Sequence, residues 1–303
     1  LVRLINALEL PTTGSIVVNG NEIAGASVLD RWLRRGVRPA RGRLTLMFCN
    51  LDAFARFDAA DPTLSRYVDE DFNRVWDAEV LNGPRSSREL RRARELRPVL
   101  DSADLLLDLH SMLWPSDPLV IAGRPEKARP WALSLGIPPL VVADQGHAEG
   151  KRMMDYGPFS DPASKRVGLL VEGGPHWERE TVSVLQRSVA ALLRSSRVIS
   201  PPMEADLGFP SAGLVPALGE ASSELWEVTR TVTAHSRGFT FVEPFRGGTV
   251  VPDRGTLLAL DGDTELRTPH DECLLVMPSP QVLRGHTAVR LARRVGPPLR
   301  SRG

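Results

Sequence analysis

The chain has no apolar run of the roughly 20 residues needed to span a bilayer, and no signal-peptide pattern opens it. A cytoplasmic location with no membrane partner is the resulting expectation. Cysteine is scarce: Cys49 and Cys273 are the only two in 303 residues, far apart and in no metal-type spacing. That argues against a disulfide scaffold and for a reducing compartment. An excess of charge of one sign is also missing. The 38 basic and 37 acidic side chains leave a net charge of +1, so no electrostatic footprint favours nucleic acid or an anionic surface, and no nucleic-acid partner is expected. Lysine stands only at Lys127, Lys151 and Lys165. Abundant Arg, Ala, Gly and Pro beside so little Lys points to a GC-rich bacterial genome. There is no internal repeat and no low-complexity segment.

What is present is ordinary for a globular chain: 42% hydrophobic and 25% charged residues, with length enough for one large core or two moderate ones. Residues 1–10 and 15–18 read as strands around the turn Pro11-Thr12-Thr13-Gly14, and residues 25–35 as a helix. Strands follow at 43–49, 104–109, 119–122, 140–142 and 167–171, with a charged helix at 86–100 and an amphipathic one at 180–193. This alternation predicts an α/β fold with a mixed, largely parallel sheet and helices on both faces. Composition shifts at Ser200-Pro201-Pro202. Beyond it the strand-like runs 225–234, 239–242, 256–259 and 273–277 are separated by turns such as Asp261-Gly262-Asp263. The expected division is therefore a domain of residues 1–200 and a smaller β-rich domain of residues 201–303.

Three polar side chains follow separate apolar strands: Glu22, His110 and Glu172. In open α/β sheets ligands bind at the carboxyl ends of strands, and a catalytic zinc takes three protein ligands plus a water, with a nearby carboxylate to move the water's proton. Each residue also has a plain structural reading. Asn19-Gly20 is a common turn dipeptide, His110 fits a hydrogen-bonded core histidine, and Glu172 before two glycines fits a solvated loop. Asn73-Arg74 fits a surface helix start. The Arg-rich stretch 85–97 reads as a solvated helical face.

Taken in order, Asn19-Gly20-Asn21-Glu22, Asp108-Leu109-His110 and Val171-Glu172-Gly173-Gly174 resemble the succinylglutamate desuccinylase/aspartoacylase family of zinc carboxypeptidase-like hydrolases. In that family the first motif reads His-Gly-Asn-Glu, so Asn19 stands at the histidine position. Arg66-Tyr67-Val68-Asp69-Glu70-Asp71-Phe72-Asn73-Arg74 resembles the family's substrate segment, and the stretch from Gly146 to Arg152 with Asp155-Tyr156 resembles a loop of bacterial members. Phe245-Arg246-Gly247-Gly248, Leu260-Asp261-Gly262, Arg267-Thr268-Pro269 and the run from Gly285 to Arg290 look like its C-terminal β domain.

The resemblance implies zinc (Zn2+) held by Glu22 and His110, with Asn19 at the third ligand position. It implies Glu172 as general base, Arg66 at the oxyanion, and Asn73 and Arg74 on a substrate carboxylate. The implied activity is hydrolysis of an amide or ester of a small carboxylated substrate such as an N-acyl amino acid. A neutral amide is a poorer zinc donor than imidazole. Three outcomes therefore stay open: a weak metal is kept by Glu22, His110 and waters, His147 or His176 supplies the missing ligand, or the chain binds a carboxylate without hydrolysing it. Ahead of Glu22, residues 4–9 look like the strand that leads into the motif, with 10–18 inserted. Alternatively, residues 1–20 resemble the segment after the P-loop of ATP-binding cassette ATPases, with no P-loop before them. Whether the chain forms a homo-oligomer is left open.

Overall fold

The computed structural model describes residues 39–58, 66–144, 146, 150–200 and 223–296, together with the backbone of residues 2–5. The expected strand at 15–18 and helix at 25–35 lie outside the described residues, as do Asn19, Glu22 and His147.

Among the described residues ten strands form one sheet, in the order β2-β1-β3-β6-β4-β5-β7-β13-β12-β9. Its first part is parallel: β2 (Leu44–Met47), β1 (Val2–Ile5), β3 (Leu105–Met112) and β6 (Val167–Pro175). Next to β6 the direction reverses. β4 (Leu119–Ala122) runs antiparallel to it, and β5 (Leu140–Ala143) runs parallel to β4. The sheet is thus mixed, as the alternation implied.

Helices cover both faces, which is why β3, β4 and β6 read as near-continuous apolar runs. α1 (Leu51–Phe54) and α2 (Ala78–Asn82) are short. α3 (Arg88–Asp101) starts where Ser87 Oγ accepts from Leu90 N at 2.9 Å. Its Leu90, Ala93, Leu96 and Leu100 recur at helical spacing and bury against Leu106, Met47 and Trp76. On the other face α4 (Ala128–Leu135) and α5 (Arg179–Ser195) pack on Leu107, Leu109, Val120, Val141 and Val171.

Three readings change here. The stretch 85–97 is not simply a solvated face. Arg92 donates to the carbonyls of Cys49 and Phe48, Arg94 to those of Leu81, Gly83 and Arg85, and Arg97 to Asn82 and Tyr156. These guanidinium forks close the loops around α3. Second, β3 and β6 run past their apolar cores, so His110 and Glu172 lie within strands. Third, Gly173 serves helix packing. A Cβ there would meet the Leu185 side chain at 2.7 Å and the Thr181 carbonyl oxygen at 2.9 Å, so α5 can sit on β6 only over a glycine.

The C-terminal part is β-rich, and its strands β7 (Glu224–Thr233), β9 (Val250–Val251), β12 (Cys273–Val276) and β13 (Thr287–Arg294) extend the main sheet through β5. β8 (Phe239–Phe241), β10 (Leu257–Asp261) and β11 (Thr264–Arg267) form a separate antiparallel sheet. The turn at Gly247 docks beside the chain entering β4: Asp117 N donates to Gly247 O at 2.8 Å, and Arg246 pairs with Asp117 at 2.9 Å. No helix among the described residues is long and apolar enough to cross a membrane.

Candidate active site

Strand alternation sets the site. Leu107 and Leu109 face α4 and α5, so Leu106, Asp108 and His110 take the opposite face of β3. On β6, Leu169 and Val171 face α5, and Leu170 and Glu172 the other side. The register pairs His110 directly with Glu172 across the parallel strands. Asp108, two residues back on the same face, brings Oδ2 to 2.9 Å from His110 Nε2. This is a charge contact and not a well-aimed hydrogen bond, since Asp108 Oδ2 has no aligned donor among the described residues.

The charges are strongly coupled. Burial favours a neutral His110, but Asp108 foremost, then Glu172 and Asp71, overcome it and raise the imidazole to about 9. Burial pushes Glu172 up to about 7. Asp108 adds to that rise, while His110, Arg66 and Arg290 oppose it. Glu172 Oε2 is buried with no hydrogen-bond partner among the described residues. Beside this pair, Ser111 Oγ lies 2.6 Å from His176 Nδ1. Partial burial, then the cations Arg66 and His110, lower the His176 ring.

The segment of residues 66–74 sits at the edge of this cluster. Arg66 is 65% exposed, and its Nη2 meets Asp71 Oδ2 at 2.9 Å. Burial would raise Asp71, but Arg66 and Arg74 outweigh it and hold the carboxyl low. Asp71 Oδ1 also caps the short turn Phe72–Arg74 by accepting from Asn73 N at 2.9 Å. Asn73 Oδ1 accepts from Met153 N at 2.9 Å, and Arg74 Nη1 donates to Asn73 O at 2.7 Å.

The 150–153 stretch is thus a second wall against residues 73–76. Val75 and Lys151 form a parallel bridge, and Trp76 N donates to Lys151 O at 3.2 Å. Gly150, at φ +147°, presses so closely on the Arg74 carbonyl that a side chain would collide with it. Arg152 anchors this wall from below, at 2.8 Å from Asp144 and 2.6 Å from Asp155. Arg290 of β13 reaches the same Asp144 at 3.4 Å.

Among the expected site residues, His110, Glu172 and Arg66 therefore share one charge cluster, and Asn73 and Arg74 stand on the turn next to it. Glu22 and Asn19 lie outside the described residues, and among those described no three His, Cys, Asp or Glu side chains converge as a metal site.

Residues 17–195, more than half of the chain, match the succinylglutamate desuccinylase/aspartoacylase catalytic domain. The chain belongs to that family. Over 102 residues it is 33% identical to aspartoacylase of Mus musculus, covering 31% of this chain and 31% of that protein, so the match spans under a third of the curated relative. Its fold resembles that of a succinylglutamate desuccinylase/aspartoacylase from Rhodobacter sphaeroides, with a TM-score of 0.62 at 19% identity over 98% of this chain and 86% of the other. A 114-residue stretch is also 25% identical to the methionine import ATP-binding protein MetN of Latilactobacillus sakei, covering 35% of this chain and 25% of that protein. That likeness assigns no second family.

Asp71, Glu89, Ser111 and Arg290 were not among the expected site residues. Asp71 had a signal, since Asp followed by Asn73 and Arg74 is a capping pattern. Glu89, Ser111 and Arg290 had none, because their partners are 19 or more residues away.

Proposed function

We propose that this chain is a zinc-dependent hydrolase that cleaves the amide, or an ester, of a small carboxylated substrate such as an N-acyl amino acid. The observation that carries the reading is the direct pairing of His110 and Glu172 on neighbouring strands, within a family of amide-hydrolysing desuccinylases and aspartoacylases.

Two features fit a metal and a water here. Glu172 keeps a buried oxygen without a partner among the described residues. His110 has a carboxylate beside it at 2.9 Å, the usual companion of a ligand histidine. His110 and Glu22 would hold the ion, and Asn19 would offer its neutral amide oxygen. Zinc held there lowers the pKa of a water and polarises the carbonyl under attack.

Glu172 takes the proton of the attacking water and returns it to the departing nitrogen. Arg66, steadied by Asp71, faces the charge that grows on the carbonyl oxygen. Asn73 and Arg74 hold the substrate carboxylate, so that its acyl group is presented in one orientation. We assign this chemistry to residues 1–200, treat residues 201–303 as a smaller β-rich domain, and place the enzyme in the cytoplasm.

Asn19 itself favours a second reading, a metal-deficient member that binds a carboxylate without cleaving it. Zinc content and hydrolysis of a panel of N-acyl amino acids, measured for this chain and for Asn19→His, separate the two. Stoichiometric zinc with hydrolysis in the natural chain supports the enzyme. Zinc and hydrolysis gained only by Asn19→His support the second reading. Neither zinc nor hydrolysis in the natural chain overturns the enzyme, and failure of that chain to bind any small carboxylate overturns the second reading.

A further inference from the structure

Glu89 takes no direct part in the chemistry above, yet it is fully buried, with 0% of its surface exposed. A buried carboxylate is costly unless hydrogen bonds replace its water. Glu89 has four donors. Its Oε1 accepts from Val68 N at 2.7 Å and Asn50 Nδ2 at 3.1 Å, and its Oε2 from Asp69 N at 3.1 Å and Glu70 N at 3.4 Å.

The lacing runs the other way as well. Asp69 Oδ2 accepts from Arg88 N at 2.8 Å, one of the first-turn donors that a helix leaves unsatisfied, and Glu70 pairs with Arg85. The segment held this way, residues 68–70, lies between Arg66 and the Asn73-Arg74 turn. Three successive backbone N–H groups converge on two oxygens. A glutamine would set its own NH2 against at least one of them.

We propose that Glu89 is a positioning residue for the substrate site: by gathering the N–H groups of Val68, Asp69 and Glu70 it fixes where Arg66 and Arg74 stand relative to each other. The inference rests on the role given above to Arg66, Asn73 and Arg74. It identifies α3 and the Asn50 turn as the support of the substrate segment.

Glu89→Gln tests it, through hydrogen exchange followed by peptide and through kcat and KM for the N-acyl amino acid that the natural chain hydrolyses best. The expected result is faster exchange confined to residues 66–74, with the rest of α3 still protected and zinc content unchanged. The accompanying kcat/KM falls by about 100-fold, the scale for ångström-level misplacement of orienting groups. A merely structural residue would instead loosen α3 and the sheet together.

Glu89→Asp, which keeps the charge but withdraws the oxygens by one methylene, should show the same pattern more weakly. It decides the matter if Glu89→Gln does not fold. Unchanged exchange at residues 66–74, or faster exchange there with unchanged kcat/KM, overturns the inference. A natural chain that hydrolyses nothing overturns the proposed function instead. The exchange pattern then still decides whether Glu89 holds residues 68–70.

Discussion

Arg152 carries a load that can be weighed. Its guanidinium is 2% exposed and meets two carboxylates, Asp144 at 2.8 Å and Asp155 at 2.6 Å. Burial works against its charge, but Asp155 and Asp144 outweigh burial and hold the proton more firmly than usual. Arg152→Met keeps much of the volume and removes the charge. Asp155 is 14% exposed and can regain water, but Asp144 is 2% exposed and is left with Arg290 at 3.4 Å as its nearest cation.

Breaking a buried pair from one side costs about 3–5 kcal/mol. Arg290 remains, so the lower end, about 3 kcal/mol, is the expectation. Against a typical total of about 5–15 kcal/mol that is a large share. Urea unfolding followed by circular dichroism reads it as a lower midpoint at unchanged slope. The double variant Arg152→Met/Asp144→Asn should recover part of the loss, because the stranded charge is gone. A loss below about 1 kcal/mol in Arg152→Met would refute the claim that this pair anchors the 150–155 wall.

Other consequences follow from the same contacts. Gly150→Ala drives a Cβ into the Arg74 carbonyl, so it should cost about 1–3 kcal/mol and weaken substrate binding, read as a higher KM. The Glu89 carboxyl is held below its ordinary value of 4.5: burial would raise it, but the Val68, Asn50 and Asp69 donors prevail. Its stabilisation is therefore complete above about pH 4.5 and is lost as pH falls through the folded value. Unfolding free energies at pH 6 and pH 3.5 should show a smaller acid-induced drop in Glu89→Gln than in the natural chain, and equal drops would contradict this. Asp108→Asn should weaken zinc binding by about 10–100-fold in a chelator competition, because the His110 ring loses its charged neighbour.

Much of this fold could be read ahead. The run Leu119–Ala122, bounded by Pro118 and Gly123, forms the strand expected of it, because short apolar runs between breakers have few other uses. α4 escaped because residues 128–135 span barely two turns and include Pro130, too little for a helical period to show. β13 escaped because Arg290, Arg293 and Arg294 break its apolar character. Arg290 is nonetheless buried on Asp144, and Arg294 lies over Trp226 at 4.6 Å. The joining of β7 to β5 is a pairing between distant segments, which leaves no local mark.

The site divides the same way. His110 and Glu172 were legible from motif and strand order, but their burial was not. Glu172 looked like a loop residue only because Gly173 and Gly174, which continue β6 under α5, resemble a turn in sequence. The helix arginines looked solvated because the carbonyls they cap are invisible in a list of side chains.

Glu172 as the base of a zinc-dependent hydrolase is tested by release of free amino acid from N-acyl amino acids by zinc-reconstituted protein, natural chain against Glu172→Gln. The natural chain should hydrolyse them, and the variant, whose amide cannot take the water's proton, should lose about 100-fold or more in kcat, with zinc content equal in the two. Equal rates in the two proteins, or no hydrolysis of any N-acyl amino acid or ester by the natural chain, would contradict that role.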